Sequence, residues 1–414
     1  MSATPHQADS RYAMARLFVT LLIMTVGSSG MYVVSVVLPA VQADFGVARA
    51  DASLPYTMLM IGFGIGGVVM GKLADRYGVM WPLLLGAACV GGGYIASSFA
   101  TSILAFSLVQ ALLIGLGSGA VFAPLVADTS LWFVKRRGMA VAVCASGNYL
   151  AGAVWPPIVQ RFVESSGWRA TYVGLGLICG LAMAGLALFM RTRPPATVMA
   201  AAPTTAAGRA AAASTMRPFG LSLGVAQGLL CIAGVACCVA MAMPQVHIVA
   251  YCTDLGYGAA RGAQMLSLML ACGIVSRLVS GAICDRIGGL RTLLLGSVLQ
   301  CVALLLFLPF DGMVPLFVVS ALFGLFQGGI VPSYAIIVRE YFPPAEASAR
   351  VGTIIGCTLL GMALGGWMSG MVFDLTGSYH AAFLNGIGWN LLNMTIAITL
   401  LVRVRRMARQ AAFA

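Results

Sequence analysis

The sequence predicts an all-α integral membrane protein of twelve transmembrane helices, organised as two six-helix pseudo-symmetric bundles. Three observations carry that expectation. Hydrophobic residues make up 60% of the chain and charged residues only 9%, with a mean hydropathy of +0.96, whereas a soluble domain needs roughly 25% charge to solvate its surface. Apolar stretches near the ~20 residues required to cross a bilayer recur along the whole length. Short loop motifs of the first half also reappear in the second.

The stretches are marked off by charges, Pro and Gly. The first, 16–41, is longer than the ~7–15-residue apolar core of a signal peptide and is read as a retained helix despite Val41-Gln42-Ala43. The second, 53–74, stops at Asp75-Arg76, and the third and fourth, 81–99 and 103–131, flank Thr101-Ser102. The fifth and sixth, 139–162 and 169–190, enclose Glu164-Ser-Ser-Gly167. In the second half, 219–251 contains Pro244, 262–284 stops at Asp285-Arg286, and 290–309 and 313–338 follow. The last two, 349–373 and 380–402, are parted by Asp374-Leu-Thr-Gly377 and end at Arg403-Val404-Arg405-Arg406. Residues 191–218, rich in Ala, Thr and Pro with scattered Arg, read as a flexible linker. The expected organisation is therefore an N-terminal bundle over 1–190, a cytoplasmic linker over 191–218 and a C-terminal bundle over 219–414.

Charge sets orientation and excludes one class of partner. The net charge of +12 comes from short clusters between apolar stretches, such as Lys135-Arg136-Arg137, and not from one basic soluble face, so nucleic acid is not expected. With the N-terminus in the cytoplasm, Arg49, Arg161, Arg169 and Arg261 fall near outer loops and Arg277 inside a helix, while the remaining Lys and Arg lie on the cytoplasmic side. The positive-inside rule then places both termini in the cytoplasm of a multi-pass protein of the inner (plasma) membrane. The 11 cysteines show no CxxC and no metal-ligand spacing, and they read as small apolar residues. Neither a cofactor nor a metal is expected. Three scattered histidines without a nucleophile–base pairing argue against an enzyme.

The internal repeat is specific. Gly71-Lys-Leu-Ala-Asp75-Arg76-Tyr-Gly78 recurs as Gly281-Ala-Ile-Cys-Asp285-Arg286-Ile-Gly288, and Glu164-Ser-Ser-Gly167 recurs as Asp374-Leu-Thr-Gly377 at the same offset. Gly115, Gly119 and Phe133 align with Gly324, Gly328 and Phe342 one residue earlier. Parallel six-helix repeats are the arrangement in which one half rocks against the other.

The GxxxDRxG pair resembles the cytoplasmic loop motif of the major facilitator superfamily, and the repeat covers essentially the whole chain. That resemblance implies the major facilitator fold and a gating role for Gly71, Asp75, Arg76, Gly281, Asp285 and Arg286; plain turn formation is the competing reading. Val79-Met80 stand where the family usually continues with basic residues. Within the superfamily, Trp132-Phe133-Val134-Lys135-Arg136-Arg137-Gly138-Met139-Ala140, followed by Ser146 and Gly147, resembles the helix-five signature of the monocarboxylate porter family. Ala142 departs from the family's frequent Gly, and an acidic-Gly-aromatic signature familiar in animal members is missing before Leu17. Bacterial relatives, including oxalate–formate exchangers, stay open. Drug–proton antiporters usually carry an Arg where Ala111 stands and a Gly-Pro pair where Gly147-Asn148 stands.

The implied function is secondary active transport of a small organic monocarboxylate by alternating access, with protons as candidate coupling ions. The alternatives are organic-anion exchange of the oxalate–formate type and an efflux permease. Arg277 is the leading substrate-binding candidate. It lies eight residues before Asp285, roughly 12 Å inward at 1.5 Å per residue, where a cation costs about 2.5–3.5 kcal/mol unless compensated. Its fork of donors suits a carboxylate, and the resemblance implies a helix-eight Arg in that role; a structural pair with an acid such as Asp128 is the alternative. Asp128, seven residues before Lys135, is a candidate proton carrier because burial favours a neutral carboxyl, or else a tether for the basic cluster. His247, after Pro244, is a second candidate proton relay, or a packed histidine. Tyr334, Asn148 and Tyr149 are candidate substrate contacts, with helix–helix hydrogen bonding as the plainer role for each.

Overall fold

The computed structural model describes residues 9–133, 137–192, 218–343 and 347–413. Among these residues the secondary structure is helical, with no strand. Among the described residues, eleven helices, some with internal breaks, are long and apolar enough to cross a membrane. One of them, Arg137–Phe189, runs for 53 residues. At 1.5 Å per residue it would be about 80 Å long, far beyond a ~30 Å hydrocarbon core. Gly167, with φ 77° and ψ 161°, interrupts it and divides it into two helices. Twelve spans result.

In chain order they are α1 (Arg11–Phe45), α2 (Arg49–Tyr77), α3 (Met80–Ser98), α4 (Ile103–Trp132), α5 and α6 (137–166 and 168–189), α7 (Leu223–Asp254), α8 (Ala259–Ile287), α9 (Gly289–Leu306), α10 (Met313–Tyr341), α11 (Ala347–Thr376) and α12 (Tyr379–Phe413). Large apolar side chains such as Leu181, Val314 and Leu375 lie more than 70% exposed. That pattern fits a surface solvated by lipid chains.

The repeat seen in sequence is a repeat of backbone geometry. Gly78 ends α2 at φ 87°, ψ 162°, and Gly288 precedes α9 at φ 82°, ψ 161°. Both lie in a region open essentially to glycine alone, so the last glycine of each GxxxDRxG copy is dictated by the turn. Gly167 takes the same conformation, and its counterpart Gly377 also has a positive φ of 66°. The third match is a packing device. A Cβ on Gly119 would collide with the Gly66–Gly67 backbone, joining α4 to α2, and one on Gly328 would sit 2.6 Å from the Gly273 carbonyl, joining α10 to α8. Equivalent glycines hold equivalent helix pairs.

The chain forms two compact units, one of Met1–Ala202 with Val246–Ala271 and one of Pro203–Gln245 with Cys272–Ala414. The division falls inside α7 and α8. Their ends remote from the GxxxDRxG loops therefore pack with α1–α6. Within that first unit the Ser267 hydroxyl donates to the Ala153 carbonyl, Leu270 fills the space above Gly152, and Arg49 pairs with Asp254.

Candidate functional site

In the first unit the polar side chains gather at a discontinuity of α1. The α1 backbone leaves helical pairing at Ser28, which ends one helical segment and begins the next. Asn148 on α5 faces this break: its Nδ2 donates to Ser28 Oγ at 3.5 Å, and its Oδ1 accepts from Tyr32 at 2.7 Å. Trp155 Nε1 donates to the Thr25 carbonyl at 3.0 Å. Gly147 permits the approach, since a Cβ there would lie 2.8 Å from Met24. Tyr149 is buried beside Asn148. An interrupted helix supplied with side-chain donors is the usual way membrane proteins present polar groups at depth.

Asp128 is held elsewhere. Its carboxylate accepts two parallel bonds from Arg16, Nε to Oδ2 at 3.0 Å and Nη2 to Oδ1 at 3.1 Å. The same guanidinium donates to the Met190 carbonyl at 3.4 Å and lies 4.8 Å over the Trp132 ring. Both partners are more than nine-tenths buried. This cluster ties α1, α4 and the end of α6 together. Arg16 was not singled out from sequence, because it opens an apolar stretch and reads there as a loop-side cation. His247 belongs to the same unit and is wholly buried.

The second unit carries Arg277 and Tyr334. Arg277 lies in α8, half-buried, with its Nε out of contact with solvent. It follows Ser276, whose hydroxyl accepts from the Gly328 amide at 3.1 Å. Gly273, Ser276 and Ser280 present one α8 face to Gly328–Gly329, where α10 loses its helical pairing. Arg277 stands at the edge of that face. On the other side of this break Gln245 donates to Gln327 at 2.9 Å.

Tyr334 is fully enclosed. Its hydroxyl lies 3.2 Å from Asn393 Oδ1 and 3.5 Å from Cys237 Sγ. Asn393 donates to Ser297 Oγ at 2.7 Å, Asn390 to the Ser297 carbonyl at 2.8 Å, and Gln300 to the Cys237 carbonyl at 3.2 Å. The result is one connected polar network through α7, α9, α10 and α12. Tyr334, Asn148 and Asp128 thus each hydrogen-bond to a different set of side chains.

At the loop ends, a Cβ added at Gly71 or Gly281 would meet open space. Arg76 and Arg286 are exposed in the last turns of α2 and α8, and Arg76 lies 5.2 Å over the Tyr77 ring. The side chains of Asp75 and Asp285, and residues Lys135 and Arg136, lie outside the described residues. One contact here was not anticipated: Glu340 accepts from the Gly289 amide with both oxygens, at 3.0 and 3.1 Å, capping α9. The corresponding start of α3, at Val79, has no side-chain cap. No group of three or more His, Cys, Asp or Glu suited to a metal occurs among the described residues.

The sequence profile of the Major Facilitator Superfamily matches residues 20–314 and again 228–413. The chain belongs to this superfamily. Its similarity to individual members is moderate. Monocarboxylate transporter 13 of Rattus norvegicus is 27% identical over 351 residues, covering 84% of this chain and 78% of that one. Monocarboxylate transporter 11 of Homo sapiens is 28% identical over 334 residues, 75% and 66% of the two chains. A fungal relative, the MFS-type transporter opdF of Penicillium oxalicum, is 24% identical over 71% of this chain and 66% of its own. Among solved structures, a peptide transporter POT in complex with sulfate superposes with a TM-score of 0.73 at 14% identity, covering 96% and 95% of the chains. A bacterial homologue of the lysosomal transporter Spinster gives 0.72 at 13% identity over 96% and 98%. These structures establish the major facilitator fold. The twelve-helix expectation and the resemblance to monocarboxylate porters are both borne out, and the chain is a multi-pass membrane transporter of that superfamily, not an enzyme.

Proposed function

We propose that this chain is a secondary active transporter that moves a small organic monocarboxylate across the inner membrane by alternating access. In this reading the repeats 1–190 and 219–414 are the moving bodies, 191–218 links them, and both termini are cytoplasmic. The observation that carries the substrate class is Arg277: a guanidinium within a transmembrane helix, next in sequence to Ser276, which bonds Gly328 at the α10 break. A guanidinium at that depth is costly unless compensated, and its planar donors match a carboxylate. The names of the vertebrate relatives support the same class. Asn148 and Tyr149, at the α1 break, are the proposed contacts from the first repeat, and the Tyr334 network fixes the α10 wall. His247 is the proposed proton carrier.

A second reading is anion-for-anion exchange, favoured by one observation. Asp128 is already neutralised by a two-bond fork from Arg16, which makes it a structural tie and leaves fewer acids to carry a proton. Counterflow in proteoliposomes separates the two readings: an exchanger needs internal anion, whereas a proton symporter acidifies the lumen as it fills. The substrate assignment is tested by thermal-shift measurements with acetate, lactate and benzoate. Stabilisation of the wild type that disappears in Arg277→Ala is expected, and unchanged stabilisation in that variant would overturn the assignment.

A further inference from the structure

In the second unit, the outer faces of α9 and α12 are apolar along the spans and cationic at one end. On α9, Leu295, Val298, Val302 and Leu305 are exposed, and Arg291, also exposed, opens the same stripe one turn earlier. On α12, Leu391, Ile398 and Val402 are exposed, and Arg405 continues that stripe past Val402. The helices run antiparallel, with His380 bonded to the Leu308 carbonyl at one end and the two arginines together at the other. That other end carries the GxxxDRxG loops. From 291 to 305, and from 405 back to 391, each stripe is about 21 Å long at 1.5 Å per residue. Each can follow an acyl chain through the ~15 Å of one leaflet, half of the hydrocarbon core.

Arg291 and Arg405 meet at a cavity of about 240 Å³, walled by Leu290, Tyr341, Leu401 and Val404 among others. Among the described residues neither guanidinium has an acidic partner; the ion pairs there are Arg16–Asp128, Arg49–Asp254 and Arg169–Asp44. Glu340, beside Tyr341 in the chain, gives both its oxygens to the Gly289 amide. Two cations facing one cavity repel each other unless an anion lies between them. The internal repeat sets their depth. Arg291 stands where the first repeat has Trp81, at the offset that pairs Asp75 with Asp285. Trp81 is exposed, and an exposed tryptophan at the end of a span marks the headgroup level. The second repeat puts a cation at that level instead.

We propose that this cleft holds an anionic phospholipid of the leaflet on the GxxxDRxG side, with its phosphate between Arg291 and Arg405 and its acyl chains along the two apolar stripes. Guanidinium donors match phosphate oxygens in pairs, and basic clefts between spans suit anionic headgroups. Free phosphate would use the cations and leave the stripes without a role. A zwitterionic lipid would use the stripes but bring a cation of its own to the arginines. A lipid with a net negative head satisfies both, whatever substrate the protein carries.

The test is the melting temperature of the purified full chain in neutral detergent, with phosphatidylglycerol, phosphatidylcholine, glycerol 3-phosphate or inorganic phosphate added. Phosphatidylglycerol is expected to raise it by several degrees more than phosphatidylcholine, and the two soluble phosphates to leave it unchanged. Arg291→Gln with Arg405→Gln abolishes that excess, and Arg291→Lys with Arg405→Lys retains most of it. Arg406→Gln, at an exposed residue outside the cavity, keeps it whole. Should the double Gln variant not yield folded protein, Arg291→Gln and Arg405→Gln singly are each expected to lose at least half of the excess. Equal shifts with the two lipids, or an excess that survives the Gln variants, overturn the site. An equal shift with inorganic phosphate makes it a free-anion site and overturns the lipid.

Discussion

At the scale of single residues, Arg16 belongs to the architecture. Arg16 has a dedicated acid, a carbonyl and an aromatic face, and every one of these groups belongs to the protein. Breaking such a buried pair by removing one partner costs about 3–5 kcal/mol, whereas replacing both by apolar groups of similar volume is often neutral. Asp128→Asn is therefore expected to lower the melting temperature of the purified protein by many degrees, and Arg16→Met combined with Asp128→Leu to recover most of it. An Asp128→Asn protein as stable as the wild type would show that the fork contributes little. The pairing was not legible in the sequence: its members are 112 residues apart, Arg16 taken alone reads as a charge at a helix end, and Asp128 taken alone reads as a proton carrier or a tether for the basic cluster. The same holds for Tyr334, whose enclosure depends on Asn390, Asn393 and Ser297 arriving from other helices.

At the scale of elements, hydropathy located the spans, and the repeat located their turns. The reason is physical. A bilayer demands about 20 apolar residues per span, and a turn at φ near 80°, ψ near 160° admits essentially glycine alone, so both constraints leave marks on single residues. Packing breaks such as Ser28 in α1 and Gly328–Gly329 in α10 leave weaker marks, because small residues also serve ordinary helix contact. The GxxxDRxG motif can be divided on this basis. Gly78→Ala is expected to cost about 1–3 kcal/mol through its backbone conformation, measurable as a lower melting temperature. Gly71→Ala, in a helical stretch with open space around it, is expected to leave the melting temperature unchanged. Loss of transport in Gly71→Ala at unchanged stability would then belong to gating and not to folding.

At the scale of the whole molecule, the first unit includes the loop-remote ends of α7 and α8, held by Ser267 to Ala153, Leu270 over Gly152, and Arg49 to Asp254. An alternating-access cycle has to open these contacts once per turnover. Cysteines introduced as Gly152→Cys and Leu270→Cys, in a chain whose eleven native cysteines are replaced, are expected to cross-link under mild oxidation and arrest uptake, with reductant restoring it. Uptake that continues in the cross-linked protein would mean that these contacts persist through the cycle. None of this was legible from the sequence, which divides the chain at its linker and says nothing about which helix ends meet.

In the proposed function a carboxylate is carried and Arg277 holds it. Uptake of labelled lactate into proteoliposomes, compared between wild type and Arg277→Lys at equal reconstituted amounts, tests it most directly. Lysine keeps the charge but loses the two-pronged donor geometry, so saturable uptake is expected of the wild type and loss of most of it in a variant that still folds and inserts. Equal uptake by the two proteins would contradict it.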